Sequence, residues 1–265
     1  MAKREVITAS LEYEKELYAR GFRLIAGLDE AGRGAWAGPV AAAAVILPLD
    51  REDLSEVLAG VIDSKQLDAQ QRQSLAATIK SVALDWAVGR TASFEVDKEG
   101  IVVATQLAME RALRKLTLVP DYLLTDYVGV LDTAMPEDRQ MRLIKGDEKS
   151  LSIAAASILA KVERDAFMLG LDEQYPEYGF ARHKGYGTQE HKLNLSAHGP
   201  CSAHRGSFKP IINWRTLLAM PRPGGAAPVG EKEKESREPE QAKEKAEPPA
   251  ETGGAAETEA ETGKE

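Results

Sequence analysis

The sequence predicts an α/β domain built on a mixed β-sheet flanked by helices, then a small C-terminal helical extension and a disordered tail. Three observations carry this. Two compact apolar runs, FRLIAGLD (22–29) and PVAAAAVIL (39–47), bracket a Gly-rich turn and predict paired strands. Short apolar runs then alternate with longer segments of helical period, as in domains whose later strands are joined by helical crossovers. Beyond residue 220 the composition changes abruptly: the last 45 residues hold 12 Glu, five Lys and two Arg, a net charge of -5, with six Pro, six Gly and no aromatic. Such a segment buries too little apolar surface to offset the entropy of ordering it.

In chain order, residues 8–20 (TASLEYEKELYAR) read as a short charged helix that Thr8 or Ser10 can cap. After the paired strands, a turn at Asp63-Ser64-Lys65 precedes a helix over about 67–80, with Leu67, Leu75 and Ile79 on one face. SVALDWAVGR (81–90) is a third strand, and Val103, Leu107, Leu113 and Leu116 recur near the helical period between Val96 and Leu116. YLLTD (122–126) and MRLIK (141–145) are short strands, and SLSIAAASILAKVERDAFML (150–169) is a long helix. This divides the chain into a sheet domain (1–170), an extension (171–220) with all four His packed against the sheet edge, and the tail (221–265). No repeat of 20–50 residues is present, which excludes solenoids and propellers.

Composition narrows the function. No apolar run approaches the roughly 20 residues needed to span a bilayer, and the N-terminus lacks the apolar stretch of a signal peptide. The single Cys excludes an internal disulfide framework and fits a reducing cytoplasm. The formal net charge of -8 argues against a simple electrostatic DNA binder. Five of those charges nevertheless lie in the tail.

The densest chemical signal is Asp29-Glu30-Ala31-Gly32-Arg33-Gly34, at the end of the first apolar run. Adjacent strand residues point to opposite faces, so two neighbouring carboxylates cannot both be core. At a strand end both can project into a crevice where α/β proteins place ligands. The glycines allow close backbone approach, and Arg33 supplies a forked donor for phosphate. A nucleotide-binding loop competes, but the spacing of Gly32, Gly34 and Gly38 is not the dinucleotide fingerprint, and no Gly-Lys-Ser/Thr follows. Two carboxylates would also repel a bare phosphate unless a divalent cation lay between them. Mg²⁺ or Mn²⁺, with its preference for hard oxygen ligands, is the better fit. Asp126 ends YLLTD as Asp29 ends its own strand, so parallel neighbours would set them side by side. Asp147 follows MRLIK just before the long helix. Taken singly, Asp126 also suits a solvated strand end and Asp147 a helix start. Together, four carboxylates suit a two-metal site for in-line phosphoryl displacement. His191, His198 and His204 lie in a loop-rich region and are expected to make local hydrogen bonds. Cys201 carries no mark of an activated nucleophile.

The blocks IAGLDEAGRGAWAGPV, DSKQL, YLLTD, KGDEKSLSIAAASILAKVERD, YGFARHKGYGT and HGPCSAHRGSFKP, in this order, resemble type 2 ribonuclease H, the ribonuclease HII family, over about Leu11 to Ile211. The resemblance implies an RNase H-like fold with a C-terminal helical extension. It also implies hydrolysis on the 5′ side of a ribonucleotide in RNA–DNA hybrids or duplex DNA, giving 3′-hydroxyl and 5′-phosphate ends. By it, Asp29, Glu30, Asp126 and Asp147 hold Mn²⁺ or Mg²⁺, and Gly32, Arg33 and Gly34 meet the ribose 2′-hydroxyl and flanking backbone. Tyr186 lies against the sugar, and Ser64 and Lys65 form a phosphate-facing turn. Arg182, Lys184, His183 and Arg205 are further phosphate contacts. The 2′-hydroxyl is the one group that tells RNA from DNA at a given site. Three positions depart from the pattern: Ala35-Trp36 replaces Pro-Leu, Tyr127 stands where Gly commonly follows the third acid, and Gly100 replaces an Asn. None touches a carboxylate, but Tyr127 can crowd the strand end. A silent nucleic-acid-binding module and a DNA nuclease without a ribose requirement are the rival readings. The complete acid set argues against the first, and the Gly-Arg-Gly and Gly-Tyr-Gly elements against the second. The expected protein is a cytoplasmic monomer with no membrane partner.

Overall fold

A computed structural model describes residues 9–130 and 135–214. Its elements are α1 (Glu12–Ala19), β1 (Ile25–Ala31), β2 (Val40–Ile46), α2 (Leu54–Val57), α3 (Ala69–Val82), β3 (Asp85–Thr91), α4 (Ser93–Leu113), β4 (Tyr122–Asp126), β5 (Gln140–Leu143), α5 (Leu151–Gln174), α6 (Phe180–His183), α7 (Gln189–His198) and α8 (Lys209–Ile212). The strands form one mixed sheet in the order β3-β2-β1-β4-β5. β1–β2 and β2–β3 are antiparallel, whereas β1–β4 and β4–β5 are parallel. No described helix is long and apolar enough to cross a membrane.

Both faces of the central strands are covered, which is why FRLIAGLD and PVAAAAVIL read as nearly continuous apolar runs. The strand period sorts their side chains: Ala43 and Val45 pack with Ile158 and Leu159 of α5, while Ala42, Ala44 and Ile46 pack with Ala104, Ala108 and Met109 of α4. Small residues set the spacing. A Cβ on Gly27 would fall 2.2 Å from the Ser152 carbonyl carbon, so β1 lies directly against the first turn of α5. Glu14 fastens α1 to that same turn, its Oε1 accepting from the Ser152 N–H at 2.9 Å and the Ser150 hydroxyl at 2.6 Å.

Several boundaries differ from expectation for physical reasons. α3 starts at Ala69 because Asp68 and Gln71 form a reciprocal capping box. α4 starts at Ser93 and is interrupted at Gly100, whose φ of 78° no helix accommodates. The short α2 was not foreseen. Ser10 takes part in a bridge to Ser150 and only weakly caps α1 (Glu12 N–H to Oγ, 3.4 Å), while Thr8 lies outside the described residues. The described residues form one compact unit, and residue 170 falls inside α5. The elements after α5 pack on that helix and on the β1–β2 turn, where Tyr178, Phe180 and Ala203 pack with Met168 and Ala37, while Phe208 packs against the layer between the sheet and α4. The second unit, Gly224–Glu265, and the disorder expected over 221–265 lie outside the described residues.

Two glycines of α5's neighbourhood test this account of the packing. Gly27→Val should cost more than about 3 kcal/mol in denaturant unfolding, because the new side chain meets main chain that cannot yield. Gly170→Ala, whose Cβ meets nothing within 4 Å on a helix, should instead add about 0.5–1 kcal/mol.

Candidate metal centre

The parallel register of β1 and β4 pairs Leu28 with Thr125, so the next residues, Asp29 and Asp126, stand side by side. Asp147 arrives from the turn Gly146–Glu148, and Asp126 holds that turn by accepting the Gly146 N–H at 2.7 Å. One carboxylate oxygen from each of Asp29, Asp126 and Asp147 lies within 4.8 Å of the others. Glu30 stands beside this trio, on the alternate face of β1. Its Oε1 meets Arg33 at 3.2 Å, and its buried Oε2 has no hydrogen-bond partner.

Electrostatics define what the site lacks. Burial, then repulsion from Glu30 and Asp126, holds the Asp29 carboxyl well above the ordinary range. Burial likewise raises Glu30, with Arg33 opposing it, and raises Asp147, with Lys65 opposing it. Lys65 Nζ lies 3.5 Å from Asp147 and 3.8 Å from Asp63. Burial would lower its ammonium, but the attraction of Asp63, Asp147 and Asp29 outweighs this and raises it. A single lysine cannot balance the cluster. Hard oxygens held close together, partly buried and incompletely paired, fit a divalent cation.

The turn that aims Lys65 is built by other residues. Asp63 accepts the Lys65 N–H at 2.9 Å, and Arg72 donates to the Ser64 and Leu67 carbonyls. Ser64 is buried with its hydroxyl 2.9 Å from that of Ser157, so it anchors the turn and does not face solvent as a substrate-contact residue would. Gly32 adopts φ 92°, and a Cβ there would lie 1.9 Å from Arg164 Nε. Gly34 is exposed, and nothing in the protein occupies the space beside it. Two fully buried guanidinium groups lock this loop. Arg164 donates to the Pro39 and Ala37 carbonyls at 2.9 and 3.2 Å, and Arg205 donates to Gly38 and to Arg33, the latter at 2.8 Å. Arg205 is therefore a brace and not the phosphate contact expected from its motif.

Tyr186 is half-buried, with Arg164 Cζ 5.3 Å and Lys161 Nζ 5.8 Å from its ring centroid. Its flanking glycines are steric requirements: Cβ atoms there would lie 2.4 Å from the Ala37 carbonyl oxygen (Gly185) and 2.2 Å from the Trp36 ring (Gly187). Trp36 thus fills space under the Gly-Tyr-Gly loop. The sequence argument missed Ser157, Lys161 and Arg164. Their spacing sets three polar residues on one stripe of α5, and that was the available signal.

The histidines are internal. Cys201 N–H donates to His204 Nδ1 at 3.0 Å, so His204 carries its proton on Nε2. That group donates to His191 Nε2 at 3.1 Å, leaving His191 Nδ1–H for the Tyr186 carbonyl at 3.0 Å. Burial pushes both rings down to about 4 and keeps them neutral. His183 is also buried, bonded to the Tyr178 carbonyl at 2.8 Å, which removes it from the phosphate contacts. His198 makes a ring contact with Tyr178. Burial raises the Cys201 thiol, contrary to what a nucleophile needs. Arg182 is exposed and ion-paired with Glu190, and the Lys184 ammonium meets the Ala181 carbonyl.

The sequence model of ribonuclease HII matches residues 26–211. Ribonuclease HII of Roseiflexus castenholzii is 51% identical over 204 residues, covering 77% of this chain and 90% of the relative. Ribonuclease H2 of Pyrococcus horikoshii aligns with a TM-score of 0.56 at 26% identity, covering 72% and 97% of the two chains. The ribonuclease HII of Archaeoglobus fulgidus, solved in complex with PCNA, aligns at 0.57 and 28% identity, covering 70% and 95%.

Asp29→Asn should raise the melting temperature of the metal-free protein at pH 7, since it removes a buried charge repelled by its neighbours. Added Mn²⁺ should then stabilise the wild type more than the variant. For the histidine pair, folded values below the unfolded one mean that the unfolded chain binds more protons between the two. Stability should fall as pH drops from about 6.5 to about 4. Side-chain ¹⁵N NMR should show the Nδ1–H tautomer for His191 and Nε2–H for His204 over that interval.

Proposed function

This chain belongs to the ribonuclease HII family, whose members are metal-dependent hydrolases of RNA in RNA–DNA hybrids, and from that premise we propose its reaction in detail. It cuts the phosphodiester on the 5′ side of a ribonucleotide, in hybrids or in duplex DNA with embedded ribonucleotides, leaving 3′-hydroxyl and 5′-phosphate ends. The observation that carries this is the convergence of Asp29, Asp126 and Asp147, with the unpaired Oε2 of Glu30 beside them.

These four carboxylates would hold two Mn²⁺ or Mg²⁺ ions. Ions bound there supply Lewis-acid polarisation of the scissile phosphate and ionise a water at neutral pH. The remaining work belongs to the protein. Lys65, aimed by its braced turn, meets a substrate phosphate. Exposed Gly34 and partly exposed Arg33 let the ribose and its flanking backbone approach the main chain closely. Tyr186 sets its ring and hydroxyl against the sugar, so a nucleotide with a 2′-hydroxyl is distinguished from one without it. Arg182 and Lys184 serve the flanking backbone, Arg182 by exchanging its Glu190 partner for phosphate. The protein acts as a cytoplasmic monomer on nucleic acid, in the excision of misplaced ribonucleotides.

A 5′-labelled duplex with one ribonucleotide, incubated beside its all-DNA twin, tests this. Cleavage should occur only in the first duplex, 5′ of the ribonucleotide, and should stop in excess chelator. Asp29→Asn should lower kcat at least 100-fold with the fold intact. Tyr186→Ala should lower kcat/KM about tenfold or more at the single ribonucleotide, with Tyr186→Phe between. Cutting of the all-DNA duplex would make the protein a nuclease without ribose selection, and binding without cutting would make it a silent module.

A further inference from the structure

Tyr127 follows Asp126 directly, yet 66% of its surface is exposed, and Ile144 at the end of neighbouring β5 is 69% exposed. The main chain ties the two positions together, the Tyr127 N–H donating to the Leu143 carbonyl at 3.0 Å. Two large apolar side chains are thus bare at the C-terminal ends of parallel strands, beside the turn that carries Asp147. Open α/β sheets take their ligands at such ends. Burial does not account for the tyrosine, and neither does the backbone. Its φ is 57°, a left-handed conformation that glycine adopts freely and a side chain with a Cβ resists. The conformation is held by that same N–H and by the Val128 N–H on the Asp126 carbonyl, at 2.6 Å. Its Cα is one peptide, about 3.8 Å, from that of a metal-centre carboxylate. A strained, solvent-facing aromatic at a site's rim, with no packing return to the fold, points to the ligand as its partner.

Resting on the ribonuclease reading above, we propose that Tyr127 is a substrate-specificity residue. Its exposed ring is a stacking platform for a nucleotide next to the scissile ribonucleotide. Every base and sugar presents an apolar face to such a ring, so the contact is sequence-tolerant, and a tyrosine offers it at low entropic cost. Ile144 extends the platform. Because the ring lies at the rim and not among the carboxylates, it acts on the binding of the flanking strand more than on the bond broken.

The test compares wild type with Tyr127→Phe, Tyr127→Leu and Tyr127→Gly on the labelled single-ribonucleotide duplex, with melting temperatures taken alongside. Tyr127→Gly should melt at or above the wild-type temperature, since glycine relieves the left-handed backbone, while KM rises about fivefold or more. Tyr127→Leu should show the same KM rise, and Tyr127→Phe should restore KM to within about twofold of wild type. In all three, kcat should change less than KM. The proposal is overturned if the glycine variant binds as tightly as wild type, or if leucine serves as well as phenylalanine. An inactive wild type would instead refute the ribonuclease reading, so the two failures are distinguishable.

Discussion

The repulsion among buried carboxylates at the parallel junction of β1 and β4 is the constraint around which the rest of the molecule is arranged. Asp29, Asp126 and Asp147 are brought together by sheet register and one tight turn, at a distance where the charge of Asp126 makes ionising Asp29 and Asp147 harder. A fold does not gather such groups for stability. The supporting parts are correspondingly stiff: Gly27 lets α5 lie on β1, Glu14 pins α1 to the same helix turn, and Asp126 itself accepts the main chain that presents Asp147. Lys65 offsets part of the charge from an independently braced turn. The cost is carried by packing elsewhere, in the two apolar layers that α4 and α5 form on the sheet.

Cations used internally fix the elements after α5 to the same frame. Arg164 and Arg205 are fully buried, and their donors go to carbonyls of the β1–β2 turn. The Gly-Tyr-Gly loop then rests on the same turn through Trp36, while the neutral His204–His191 chain holds the Tyr186 carbonyl from the other side. The Gly-Tyr-Gly loop and the carboxylates are thus referenced to one strand, β1. Two parts held to one strand keep a fixed spacing to each other.

Much of this was legible from residue order, and the limits follow from what order encodes. Asp29 and Asp126 each end an apolar run, and apolar runs of that length in an α/β pattern have only a few pairings, so their adjacency could be inferred before any coordinates. The stripe of Ser157, Lys161 and Arg164 was not seen because it runs from the wholly buried first half of α5 into its half-exposed second half, where Glu163 and Asp165 are polar too. The burial of Arg205, His183 and Ser64 was illegible for a different reason. They sit in the right motifs, but motif membership does not distinguish a side chain that meets substrate from one that holds the loop that does; only burial and hydrogen-bond partners do. The bond of Glu30 to Arg33 depends on the turn's three-dimensional course, which residue order does not encode.

Backbone strain marks the same territory independently of charge. Among the described residues, three that are not glycine adopt positive φ: Tyr127, Lys145 and Lys184. Tyr127 follows Asp126, Lys145 opens the turn that presents Asp147, and Lys184 precedes the Gly-Tyr-Gly loop. All three border the carboxylate cluster or the Gly-Tyr-Gly loop. Left-handed geometry reverses the chain in a single residue. Glycine would do this with less strain; Lys145 and Lys184 nevertheless place their ammonium groups on Glu148 and the Ala181 carbonyl, whereas the Tyr127 side chain is left exposed. Net acidity alone pointed away from nucleic acid. Its distribution, with repelling acids beneath and strained tyrosine and lysines around them, describes a surface completed by cations and a polyanion.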